Sequence, residues 1–249
     1  MAQALVPLKD LVQAKTRLAG LLRPSERRAL AQAMLEDVLQ VLVGHPRIQR
    51  VTLLSDDPAA PLLARQWGLD HWPQSEQGGS GLNEELSRAS ERLLPAPDGG
   101  SEPLLVLHAD LPLLSAADIT AVLDNQGEGG GLVIGCDHRG TGTNLLAFGR
   151  PAMPRFCFGP DSCAQHLAAA AEAGTPARVV HRTGIALDVD EARDLAALLA
   201  LSPALRGQHT QALLNATPLG RRMSLALASL TPLPPMTRKS RGGVDGRMA

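Results

Sequence analysis

The 249-residue chain has no tyrosine, three phenylalanines and two tryptophans, an aromatic content of 2%. Stacking platforms for single-stranded nucleic acid need aromatic faces, and this chain cannot build them. A formal net charge of -1 also lacks the basic footprint expected of a nucleic-acid binder or a polybasic membrane patch. Nowhere does an apolar run approach the roughly 18 residues of a membrane span. The N-terminus MAQALVP lacks the basic-then-apolar layout of a signal peptide. The cysteines are Cys136, Cys157 and Cys163, and they form no CxxC. That pattern points to neither a zinc knuckle nor a disulfide framework, so a reducing cytoplasm is the expected compartment.

Several catalytic signatures are missing. Neither G-x-x-x-x-G-K-[ST] nor G-x-G-x-x-G occurs in the first loop, which is therefore neither a Walker loop nor a dinucleotide fingerprint. The latter absence counts against a Rossmann dehydrogenase. There is no nucleophile elbow, no HExxH and no usefully spaced Cys/His pair. Chemistry on an acceptor that is already an anion would need none of these, because positioning and charge neutralisation carry such a reaction.

Lysine is scarce. Of 24 Lys plus Arg, the only lysines are Lys9, Lys15 and Lys239. Two of the three fall in the first loop, which suggests a selected compact ammonium in a chain that otherwise uses arginine. A solvated basic loop is the alternative.

At 44% hydrophobic, the chain can build one sizeable α/β domain. Residues 4–7 read as a first strand, followed by the loop 8–20 with Lys9, Asp10, Lys15, Thr16 and Arg17. Pro24-Ser25-Glu26 opens an amphipathic helix that ends at Gly44-His45-Pro46, with His45 as a C-terminal cap or surface residue. Strand 51–55, helix 58–67 and strand 69–72 follow. Gly78-Gly79-Ser80-Gly81-Leu82-Asn83 is a glycine-rich loop before a helix that Asn83 can cap. Residues 95–102 form a surface connection.

Leu104 to Leu107 is an apolar run of the kind found in a central parallel strand. It leads into His108-Ala109-Asp110-Leu111-Pro112. Ligands of open α/β sheets bind at the carboxyl ends of strands, so Asp110 is either a ligand-facing carboxylate or a turn residue. A helix over 116–123, a turn over 127–131 and strands over 132–134 and 145–148 come next. The loop 137–144 is dense in small donors and suits an anion or an ordinary turn. Ser162 lies near the start of a helix reaching 170, where backbone donors favour phosphate, or where Asp161 or Ser162 merely caps. His166 reads as a packing or hydrogen-bonding residue. Residues 178–180 and 185–190 read as strands, before a helix over 191–199. In the strand 185–190, period-two alternation would put Asp188 and Asp190 on one face.

Asp110, Asp188 and Asp190 thus end apolar strands of one sheet. Clustered carboxylates repel unless a cation neutralises them, and Mg²⁺ prefers carboxylates shared with substrate phosphates. Acidic ligands opposite Lys9, Lys15 and Arg17 form a layout for a nucleoside triphosphate. The expected architecture is a single α/β domain over 1–201 with a mostly parallel sheet flanked by helices. An extension over 202–230 holds short helices, and a disordered tail spans 231–249.

Six motifs in order carry a resemblance: V-P-L-K with A-K-T-R-L (Val6 to Lys9, Ala14 to Leu18), G-L-N (Gly81 to Asn83), H-A-D-L-P (His108 to Pro112), G-T-G-T-N (Gly140 to Asn144), F-G-P-D-S (Phe158 to Ser162) with His166, and L-D-V-D (Leu187 to Asp190). Together they resemble the 2-phospho-L-lactate, phosphoenolpyruvate and 3-phospho-D-glycerate guanylyltransferases of coenzyme F-420 biosynthesis. The resemblance implies a Rossmann-like fold of the nucleotide-diphospho-sugar-transferase type. It implies Mg²⁺-dependent transfer of GMP from GTP to a small three-carbon phospho acid, releasing pyrophosphate. Lys15, Arg17 and Asp110 would be catalytic, and Asp110, Asp188 and Asp190 would hold the metal. The nucleotide would meet Pro7, Lys9, Lys15, Arg17, Ser55, Asp56, Gly81, Leu82 and Asn83. The phospho acid would meet Thr143, Gly159 and Ser162. No nucleic-acid or membrane partner is expected, and the choice between monomer and homodimer stays open. A related transferase acting on a cofactor or sugar phosphate is the alternative, and a non-catalytic nucleotide-binding module a further one.

Overall fold

The computed structural model describes residues 1–74, 81–94, 102–126 and 130–228. The expected glycine-rich segment 78–80, nearly all of the connection 95–102, most of the turn 127–131 and the tail 231–249 lie outside the described residues. In chain order the elements are β1 (Ala2–Pro7), α1 (Pro24–Gly44), β2 (Ile48–Leu54), α2 (Ala60–Trp67), β3 (Asp70–Trp72), α3 (Leu82–Leu93), β4 (Leu104–Leu107), α4 (Ala116–Gln126), β5 (Leu132–Cys136) and β6 (Thr143–Phe148). They continue with α5 (Ser162–Glu172), β7 (Ala177–Val180), α6 (Thr183–Ala186), α7 (Ala192–Ala200), α8 (Gln208–Ala216) and α9 (Leu219–Leu227).

The seven strands form one sheet in the order β3-β2-β1-β4-β6-β5-β7. All pairings are parallel except those of β6, which runs antiparallel to β4 and β5. From β1 the chain winds outward through β2 and β3, then returns to place β4 on the other flank of β1. That reversal opens a crevice between the carboxyl ends of β1 and β4, where α/β sheets bind ligands. Because β6 is reversed, its first residue, Thr143, lies at the same edge as those strand ends.

Every residue of β4 is buried, as expected of a strand covered on both faces. On one face α1, α2 and α4 enclose a core that includes Leu35, Leu39, Leu63, Ile119 and Leu123. On the other, α3 and α5 cover Leu5, Val106, Ile134 and Phe148. A third cluster joins Leu30 and Met34 of α1 to Leu195 and Leu198 of α7, and to Leu214, Leu219, Met223 and Leu227 of α8 and α9. Asp37 of α1 is buried and accepts the backbone N–H groups of His209 (2.7 Å) and Thr210 (3.0 Å), supplying acceptors the first turn of α8 lacks.

Three expectations need correction. Residues 185–190 are no strand. Thr183–Ala186 forms the helical turn α6, and 187–190 run outside the sheet. The edge beside β5 is already taken by β7, so this segment satisfies its backbone elsewhere. Ala186 C=O accepts from His138 N–H (2.8 Å), and Val189 N–H donates to Asp110 C=O (3.3 Å). Burial still alternates, with Leu187 and Val189 in the third cluster, so Asp188 and Asp190 both point away from the core.

Cys136 and Cys163 form a disulfide, contrary to the cysteine reading. Spacing along the chain hides this pair, because packing of α5 against the end of β5 brings the two thiols together. Asn83 does not cap α3; the N-cap position belongs to Gly81, and the Asn83 side chain reaches another segment. Of the two expectations for His45, the cap is the one observed: it is the C-cap of α1 and is buried, with Nε2 at 3.0 Å from Thr120 Oγ1. Burial lowers its pKa.

Candidate active site

The loop after β1 is shaped by apolar anchors and one carboxylate. Leu8, Leu11 and Leu18 are buried, which pins an otherwise polar segment. Buried Asp57, just beyond β2, accepts the Leu11 N–H at 2.6 Å and the Ala59 N–H at 2.7 Å. The pinned loop then turns at Lys15, whose φ of 56° is left-handed. A non-glycine residue there costs about 1–2 kcal/mol, so surrounding contacts must hold it.

Those contacts are ionic. Lys15 Nζ donates to Asp110, at the end of β4, and to Asp190 Oδ1 at 2.7 Å. The Lys15 side chain is only 6% exposed. Burial alone would lower its pKa, but the Asp110 and Asp190 carboxylates outweigh that and hold it above the ordinary lysine value. Burial likewise pushes Asp110 upward, yet the Lys15 charge prevails and its pKa falls. Asp188 behaves oppositely. Burial, followed by the neighbouring Asp110 charge, raises its pKa although Asn144 Nδ2 donates to it at 3.0 Å. One buried ammonium therefore pairs with Asp110 and Asp190 while Asp188 stands beside Asp110, so carboxylates outnumber that ammonium and leave a surplus of acidic groups at the edge.

That surplus, with an oxygen-only donor set, fits a hard divalent cation. Among the described residues, no three acidic, histidine or cysteine side chains converge closely enough to hold an ion alone. A magnesium ion does not require this, since it completes its shell with water and substrate phosphates.

A cleft of about 490 Å³ opens beside this cluster. Pro7, Lys9, Lys15, Arg17, Leu82, Asp110 and Asp190 line it, together with His108 and Gln74. Gly81 is exposed next to Leu82. Arg17 Nη1 pairs with Glu191 Oε1 at 3.0 Å. Ser55 lies deeper and is fully buried, where its hydroxyl accepts the Asp57 N–H at 3.0 Å. Asp56 is exposed and accepts the Gln74 N–H at 2.8 Å. Both therefore hold loops next to the cleft. From sequence alone Asp57 is only part of the polar Ser55-Asp56-Asp57 end of the strand, with no site role. Its only local signal is a third polar residue after a strand, which is common in turns.

The expected acceptor residues form a second group along the edge. Thr143 N–H donates to Ser162 Oγ at 2.8 Å, which ties the start of β6 to the start of α5. Thr143 Oγ1 lies 3.1 Å from His166 Nδ1, and His166 Nε2 accepts the Cys157 N–H at 2.9 Å. An accepting Nε2 places the ring proton of a neutral imidazole on Nδ1. Burial drives the His166 pKa down to about 4, so the ring is neutral near pH 7. Gly159 has φ 141°, a conformation that side chains rarely adopt. Phe158 lies between two imidazoles, with centroids 5.3 Å from His108 and 5.1 Å from His166. It thereby links the acceptor group to the cleft wall. The disulfide joins the end of β5 to Cys163, the residue after Ser162.

Comparison with known proteins bears on the family and the fold. A family model described as "Guanylyl transferase CofC like" matches residues 2–216. A phosphoenolpyruvate guanylyltransferase of Rubrobacter xylanophilus is 41% identical over 197 residues, covering 79% of this chain and 93% of that protein. One from Conexibacter woesei is 38% identical over 215 residues, covering 85% and 94%. Among solved structures, a nucleotide-diphospho-sugar-transferase-like protein from Desulfovibrio desulfuricans G20 superposes with TM-score 0.70 at 20% identity, covering 91% of this chain and 97% of that one. At that identity the superposition speaks for the fold, and the nucleotide-diphospho-sugar-transferase-like architecture is the one observed.

Proposed function

The chain belongs to the CofC-like guanylyl transferase family, and from that membership we propose that it transfers GMP from GTP to phosphoenolpyruvate, releasing pyrophosphate. The step would belong to coenzyme F-420 assembly, as the motif resemblance implies. The observation that carries the reading is the meeting of Lys15 with Asp110 and Asp190 at the crevice between β1 and β4. Relatives named for phosphoenolpyruvate support that choice of acceptor.

In this reading the triphosphate lies along the loop after β1, where Lys9, Lys15 and Arg17 offer positive charge. Lys15 is already buried and charged, so little reorganisation is needed when phosphate charge shifts toward the leaving group. The backbone of Gly81 and Leu82 borders the base. Asp110 and Asp190, with Asp188 beside them, would hold Mg²⁺. Bound there, the ion supplies neutralisation of the triphosphate charge and polarisation of the α-phosphoryl group. Thr143, Gly159 and Ser162 hold the phospho acid so that its phosphate oxygen faces the α-phosphorus of GTP. That oxygen forms the new P–O bond while the bond to the β-phosphate oxygen breaks. The electron pair leaves with pyrophosphate, and no general base is needed because the nucleophile is already ionised.

The test supplies the protein with GTP, Mg²⁺ and phosphoenolpyruvate, 2-phospho-L-lactate or 3-phospho-D-glycerate in turn. Pyrophosphate release and product mass are followed. A guanosine diphosphodiester formed most efficiently from phosphoenolpyruvate is the expected result. Pyrophosphate release that ignores all three acids, or that responds only to a sugar phosphate, would overturn it.

A further inference from the structure

Asn83 stands next to the segment expected to border the base, yet its amide is engaged elsewhere. Oδ1 accepts the Phe158 N–H at 2.8 Å, and Nδ2 donates to the Phe158 C=O at 3.1 Å. Both polar groups of one backbone residue are thus taken by a single side chain. The preceding amide, Cys157 N–H, donates to His166 Nε2 at 2.9 Å. Residues 153–158 belong to neither helix nor strand, so no ladder satisfies their backbone. This irregular segment delivers Gly159, and it enters α5 at Ser162. We infer that Asn83 and His166 are positioning residues: a two-point clamp, one arm from α3 and one from α5, that sets the 157–159 backbone against which the acceptor is held.

Several observations support the clamp. Two consecutive part-buried backbone N–H groups, of Cys157 and Phe158, find their acceptors in these two side chains, and a donor that loses its partner where water has limited access is destabilised. An asparagine amide can satisfy the N–H and C=O of one residue at once because it mimics a peptide group. His166 is fully buried, so its ring cannot swing to a second partner. Its Nδ1–H faces Thr143 Oγ1 and the Ser162 carbonyl. Both anchor residues of the acceptor group therefore meet the same imidazole that holds Cys157. The inference rests on the proposed acceptor position and changes the expected role of Asn83 from touching the nucleotide to shaping the neighbouring site.

Steady-state kinetics with both substrates varied, together with hydrogen exchange, test it. Asn83→Ala should raise the KM for phosphoenolpyruvate about tenfold while the KM for GTP stays within about twofold. Asn83→Asp keeps the acceptor for Phe158 N–H and should lose less than Asn83→Ala. His166→Gln can still accept the Cys157 N–H and should recover part of what His166→Ala loses. If His166→Ala does not fold, the Asn83 pair decides alone. A raised KM for GTP with an unchanged acceptor KM would return Asn83 to the nucleotide and overturn the clamp. Equal changes in both KM values, or a change in kcat alone, would reduce it to general support and overturn it as well. In Asn83→Ala, backbone amides of residues 157–159 should exchange faster than in the parent. Unaltered exchange rejects the clamp whichever acceptor the enzyme uses. A parent protein that turns over no phospho acid would instead refute the proposed function, with exchange still deciding the clamp.

Discussion

Two halves of one sheet edge are built by opposite means. Around the loop after β1, a buried ammonium is held between the Asp110 and Asp190 carboxylates by charge, with the Asp188 carboxyl beside Asp110. Around the start of β6 and α5, the polar groups are neutral. Thr143 is hydrogen-bonded to Ser162 and to His166, and Asn83 bonds the backbone of Phe158. Electrostatic sites act at a distance and answer steeply to a change of one charge. Hydrogen-bonded sites act through geometry and lose modest amounts when one partner goes. A transferase needs both, since the triphosphate must be neutralised and the acceptor must be aimed.

The largest break should come from the charged half. Asp110→Asn removes the carboxylate that meets Lys15 at the crevice, and kcat/KM should fall by about 10²-fold or more. The melting temperature should fall as well, because buried Lys15 keeps only Asp190 as a carboxylate partner, and the folded state should persist at assay temperature. Turnover at the parental rate would show that the charge centre lies elsewhere. Lys15→Met should follow, with the KM for GTP rising by roughly one to two orders of magnitude. Apart from lost charge, this variant leaves Asp110 and Asp190 without their shared cation. Unchanged GTP kinetics would detach the triphosphate from this loop.

The neutral half should answer more softly and on the other substrate. Ser162→Ala deprives Thr143 N–H of its acceptor and should raise the acceptor KM by about tenfold or less, leaving GTP alone. A rise in the GTP constant of equal size would erase the distinction between the halves.

The smallest effect serves as a control away from the edge. Glu26 of α1 accepts from Arg222 of α9 at 2.7 Å. The Arg222 guanidinium lowers its pKa from 4.5 to about 2. A carboxyl depressed in the folded state contributes stability above its unfolded pKa, and that contribution fades as pH falls from about 4.5 to about 2. Arg222 is 41% exposed, so solvent screening limits the contribution to about 1 kcal/mol or less. Glu26→Gln should lower the melting temperature slightly at pH 7 and flatten its acid dependence, with kcat/KM unchanged. A kinetic change would link α9 to the edge.

Much of the fold is legible in the residues. Leu104 to Leu107 reads as a buried strand ending near Asp110, and it is one. The spacing of Leu30, Met34, Leu35, Val38, Leu39 and Leu42 announces α1, and all six are buried. Residues 185–190 mislead because alternation reports which side chains meet the core, not whether the backbone pairs. Leu187 and Val189 are indeed inside, yet β7 holds the place beside β5. Asn83 misleads for a related reason. Its type suits a cap, but Phe158 offers it a paired donor and acceptor from 75 residues away. The Cys136–Cys163 bond is invisible in spacing for the same cause.

Apart from residues 185–190, the sequence by itself determined the order of strands and helices over 1–200 and the polar residue types at the strand ends, because periodicity, proline and side-chain type act locally. Only the tertiary structure decided which ends meet. Lys15 finds Asp110 across 95 positions and Asp190 across 175. That choice follows from the reversal of strand order beside β1 and the inverted β6. Such long-range pairings come from burying whole faces of helices and sheet together, which no local pattern records.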